Sequence, residues 1–119
     1  TGKYGDGRNI THGRLAEHAM YATRYADPLN HDIAQRFHAL ATSLGVHPAS
    51  LAVAWVASHP AVTAPILGAR TPEQLEPSLR ALGISIDSDL RARISALSPA
   101  PPPATDRNEE TTEHNYGTR

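Results

Sequence analysis

No cysteine occurs among the 119 residues of this chain, and methionine, tryptophan and phenylalanine occur once each. Without cysteine there is no disulfide framework, no thiolate metal site and no thiol nucleophile. Neither sign of charge is in excess. Eleven lysines and arginines stand against 12 aspartates and glutamates, so no basic field argues for nucleic acid or an anionic membrane surface as partner. No apolar run reaches membrane-spanning length and no secretory apolar segment opens the sequence, so the expectation is a cytoplasmic protein that does not enter a membrane. The seven histidines include no H-x-x-x-H or H-E-x-x-H pair, and no metal site is expected.

Strand patterns are scarce as well. Only residues 62–67 read as a strand, and they form an apolar run rather than an alternating one. Such a run suits a strand buried on both faces of a parallel sheet, which needs neighbours. The sequence supplies none, and it opens on Thr1 rather than methionine, so the missing strands are expected upstream of Thr1.

What is present is mostly helical. Residues 1–29 are rich in glycine and tyrosine and read as an extended surface loop, with a short helical turn allowed around residues 15–21. Ile33, Phe37, Leu40, Ala41 and Leu44 follow helical spacing, and Gly45 supplies a stop. Pro48 opens a second helix over residues 48–58 that is apolar nearly all round, the mark of a deeply buried helix. Beyond the strand, Thr71 and Gln74 form a capping-box pattern with Pro72 at the first helical position. Leu75, Leu79 and Leu82 give that helix one apolar stripe, and Pro77 inside it costs about 3 kcal/mol unless the helix bends. Asp87 caps a last helix whose core face is Leu90, Ile94 and Leu97. Two regions result: residues 1–98, and an extended or disordered tail over 99–119 with almost nothing to bury.

The stretch TAPILGARTPEQL, residues 63–75, concentrates the chemistry. An apolar strand ends at Gly68, Arg70 adds a permanent cation, and a capped helix begins at once. A bare turn, a guanidinium and a helix N-terminus together suit an anion, phosphate above all. This stretch resembles the last strand, turn and helix of the aldo/keto reductases, and the likeness runs over roughly residues 1–107. The resemblance implies an α/β fold: the C-terminal portion of a (β/α)₈ barrel, incomplete in this chain, with its site at the C-terminal ends of the strands. It also implies NADP(H) as cofactor. Gly68 would let the backbone approach the ribose phosphate and Arg70 would pair with the 2′-phosphate. Gln74 would reach that phosphate or the adenine. Ser78 stands where the family has an adenine-binding asparagine, and Pro77 where an acidic residue is common. In the opening loop, Lys3 matches a lysine that contacts the pyrophosphate, and Arg14 an arginine that folds over the cofactor.

Family chemistry is hydride transfer between NADPH and the carbonyl of an aldehyde or ketone, with tyrosine as general acid assisted by lysine, aspartate and histidine. Those four groups come from earlier strands, so no catalytic residue is expected in this sequence and the isolated chain is expected to be inactive. Two alternatives stand beside this reading. One is a non-catalytic NADP(H)-binding subunit of the same family; the other is a truncated fragment without independent activity. Oligomeric state is not legible.

Overall fold

Local chemistry sets the longest helix among the described residues. The computed structural model describes residues 14–17, 19–25 and 27–100. Two short helices, α1 (Arg14–Glu17) and α2 (Ala19–Arg24), lead into α3 (Pro28–Ser43). Between residues 14 and 29 the described residues are thus more helical than the extended loop expected there. Asp27 caps α3, its Oδ1 accepting from the Leu29 N–H at 2.8 Å, and Pro28 sits at the first helical position. At the other end Gly45 has φ +69°, where a Cβ is unwelcome. The Val46 N–H donates to the Ala41 carbonyl and the Gly45 N–H to that of Thr42, both at 3.0 Å, which is the Schellman closure. Val46 then packs on the core.

The chain turns through 97° into α4 (Pro48–Ala57). His47 is its cap, with Nδ1 accepting from the Ala49 N–H at 3.1 Å. Histidine is not among the favoured caps, and a carboxylate there also suits the helix dipole. His47→Asp is therefore expected to raise stability by about 0.5–1 kcal/mol. Urea titration of both chains checks this, and an unchanged midpoint counts against the cap.

Next come α5 (Pro72–Leu79), a 3₁₀ turn (Arg80–Gly83) and α6 (Ser88–Ser95). Asp87 caps α6 as its sequence position predicts, accepting from the Leu90 N–H at 2.7 Å. Ala41 of α3, Leu51 of α4 and Ile94 of α6 form the core, with Phe37, Leu40, Trp55 and Leu90 packed around them. The Arg91 guanidinium lies 5.8 Å from the Trp55 ring centroid and donates to the Trp55 carbonyl at 3.1 Å and to the Ser58 hydroxyl. It thereby supplies a cation and donors to the last turn of α4, where carbonyls lack partners.

Three expectations need correction. Residues 62–67 are not a strand, and the described residues contain helices only, so the α/β layering expected of a barrel end is not formed among them. Ile66 is fully exposed. The reason is that a strand is defined by its ladder, and no second strand exists among the described residues to pair with it. Helix α4 is also not buried all round: Leu51 and Ala54 are inside, but Val56 is exposed. Its outer flank lines an open apolar groove of about 370 Å³ with Ile33 and Phe37 of α3 and Leu97 beyond α6. The helix at residues 72–82 is shorter than its pattern, tightening into the 3₁₀ turn three residues past Pro77. Of its stripe, Leu75 is half-buried while Leu79 and Leu82 are exposed. Residues 101–119 of the tail lie outside the described residues.

Candidate functional site

The chain leaves α4 through Ser58 and runs without regular structure over residues 64–69 before α5 begins. Gly68, Arg70 and Gln74 are all exposed along this path, and Ser78 is half-buried one helical turn beyond Gln74. A Cβ placed on Gly68 meets nothing within 4 Å, and its φ is not in the left-handed region. Nothing inside the described structure therefore requires glycine at this position. Only something approaching from outside would.

The start of α5 is densely bonded. Thr71 is the cap, and its Oγ1 accepts from the Gln74 N–H at 3.4 Å. The Gln74 side chain reaches back, but to the residue before the cap: its Oε1 accepts from the Arg70 N–H at 3.2 Å. The capping box anticipated from Thr71 and Gln74 is thus displaced by one residue. Glu73 adds a carboxylate to the first turn. A hydrogen bond from its own backbone N–H, and then one from the Thr71 hydroxyl, hold its pKa below the ordinary glutamate value.

These bonds decide what an anion would meet here. The N–H groups of Arg70 and Gln74 already have side-chain acceptors. Among the groups left to face a phosphate are the Arg70 guanidinium and the bare backbone at Gly68. An incoming phosphate would also have to coexist with the Glu73 carboxylate or turn it aside.

The structure thus brings Gly68, Arg70 and Gln74 into one turn and sets Ser78 on the helix that follows. Lys3 lies outside the described residues, as does the side chain of Arg14, whose backbone opens α1. Among the described residues no group of three His, Asp or Glu side chains is gathered to hold a metal. Sequence reasoning passed over Glu73, although an acidic residue one place before the capping glutamine is a first-turn signal in itself. It also passed over Ser50, whose part emerges only when α4 and α5 pack.

Comparison with known proteins agrees with the motif. The aldo/keto reductase family model matches residues 1–99, and the chain belongs to that family. It is similar to the uncharacterized oxidoreductase YrpG of Bacillus subtilis (strain 168), with 39% identity over 67 residues. That match covers 56% of this chain and 21% of YrpG. It is also similar to protein Tas of Escherichia coli (strain K12), with 32% identity over 103 residues, 82% of this chain and 28% of Tas. The chain thus spans less than a third of the length of these relatives.

Proposed function

We propose that this chain is the NADP(H)-holding end of an aldo/keto reductase-type oxidoreductase that reduces aldehydes or ketones, corresponding to the closing segment of a (β/α)₈ barrel. The observation that carries the reading is the turn at Gly68 and Arg70, in a family member, leading directly into the capped start of α5. The residues fit the group. Arg70 is an exposed cation whose guanidinium can donate two hydrogen bonds to one phosphate. Gly68 leaves its backbone open with no internal need to be glycine. Gln74 holds the Arg70 peptide in place, and Ser78 offers a hydroxyl one turn on. When bound, the cofactor supplies the hydride, and the residues here bind its adenosine end.

The adenosine end is tested with nucleotides that carry or lack the 2′-phosphate. The 119-residue chain, labelled with ¹⁵N, is titrated with 2′,5′-ADP and with 5′-ADP. Shifts at the Gly68, Ala69 and Arg70 amides are expected with the first ligand and much weaker ones with the second. Equal response to both nucleotides, or none to either, would defeat the 2′-phosphate reading.

Gly68→Ala separates fold from ligand. With space around the site and an ordinary backbone angle, alanine should leave stability equal or raise it by about 0.5 kcal/mol through the unfolded state. Binding of 2′,5′-ADP should fall, because the new methyl group stands where the phosphate approaches. A variant that is no less stable and binds as well as the parent would remove Gly68 from the site.

A further inference from the structure

Helix α5 presents a problem of orientation. None of its residues is fully buried; only Leu75, Pro77 and Ser78 are half-buried, while Leu79 is exposed. Apolar packing therefore does little to fix the helix's roll about its own axis. Pro77 lacks an N–H and removes the bond to the Glu73 carbonyl, so the helix is also weakened midway. Yet the roll decides where Gln74 and Ser78 point.

One buried polar group addresses this. Ser50, on the first turn of α4, is 1% exposed, and among the described residues it is the largest fully buried side chain after Leu51. Its hydroxyl donates to the Pro77 carbonyl, across the α4–α5 contact and 27 residues along the chain. Pro77 lies in the last turn of α5, where carbonyls lack a full set of intrahelical partners. A hydrogen bond is directional where apolar contact is not, and a buried one excludes competing water. The bond falls on the residue just before Ser78 and three beyond Gln74.

We propose that Ser50 is a positioning residue for the cofactor's adenosine end: it fixes the roll of α5 and so aims Gln74 and Ser78 at the nucleotide without touching it. This rests on the NADP(H) reading above. In the labelled 119-residue chain, Ser50→Ala should weaken 2′,5′-ADP by about tenfold, the equivalent of one buried hydrogen bond. The ligand-induced shifts of Gln74 and Ser78 should collapse while that of Gly68 persists. Ser50→Thr, which keeps the hydroxyl, should restore most of the affinity. Asp27→Ala, which loses a cap on distant α3, provides a stability-matched control and should leave affinity unchanged.

Amide hydrogen exchange without ligand gives a separate readout. In Ser50→Ala the α5 amides should exchange about tenfold faster, with α3 amides unaffected. If Ser50→Ala and Asp27→Ala weaken the nucleotide alike, or if Ser50→Ala binds as well as the parent, the positioning role is overturned. Loss of α5 protection in Ser50→Ala, in a parent chain that ignores 2′,5′-ADP, would overturn the cofactor reading and with it this role, while leaving the Ser50 bond itself standing.

Discussion

Arg70→Ala is expected to weaken NADPH by about 1.5–3 kcal/mol, roughly 10- to 100-fold, with little effect on NADH. The size follows from charge. A hydrogen bond to an ionised partner contributes more than a neutral one, and the planar guanidinium can present two donors to one phosphate. Arg70 is exposed, so water and salt would erode an ordinary surface pair to well under 1 kcal/mol. The larger figure applies because the bound nucleotide would itself cover the guanidinium and exclude water. Direction matters as much as size. The 2′-phosphate is the only chemical difference between the two cofactors, so a loss confined to NADPH reads that contact alone. Equal loss for both would mean that Arg70 acts on the turn as a whole, and no loss would mean that the phosphate lies elsewhere. Lysine in place of arginine is expected to recover only part of the discrimination, since it offers a point charge without the fork.

The second large effect falls on stability. Leu51 is fully buried where α3, α4 and α6 meet, and Leu51→Ala is expected to cost about 2–5 kcal/mol. The buried apolar residues among those described are few and mostly small: Ala41, Leu51, Ala54, Ala81 and Ile94. Against the usual margin of about 5–15 kcal/mol for a whole domain, such a loss is a large fraction of what holds these helices together. Far-UV circular dichroism at 25 °C should therefore show much of the helical signal gone. Trp55 packs against the same cluster, so its fluorescence should shift toward that of exposed indole at the same time. A variant with unchanged helicity and melting would show that the helices stand without this core.

The contrast between the two sites marks where sequence reasoning reached. Gly68, Arg70, Thr71 and Gln74 are close neighbours in the chain, so their convergence was legible at once. What each does with its hydrogen-bonding groups was not. Gln74 spends its carbonyl oxygen on the Arg70 N–H, and Glu73 lays a carboxylate over the first turn. Both outcomes depend on side-chain rotamers that no spacing rule specifies. Ser50 was illegible for a different reason, since its acceptor is a backbone carbonyl 27 residues away. A serine inside an apolar helix gives no hint of its partner until two helices meet.

Where α3, α4, α5 and α6 begin is set by local sequence, because a helix closes its own hydrogen bonds and its ends are chosen by neighbouring residues. Asp27 with Pro28, His47 with Pro48, Thr71 with Pro72, and Asp87 each mark a start, and Gly45 marks a stop, through contacts spanning a few residues. Tertiary structure alone decided the rest. Residues 62–67 have the composition of a buried strand, but extended backbone finds its partners only on another strand, and with none among the described residues Ile66 stands in solvent. Likewise α4 carries apolar residues on every side, and which side is buried was settled by where α3, α5 and α6 lie against it.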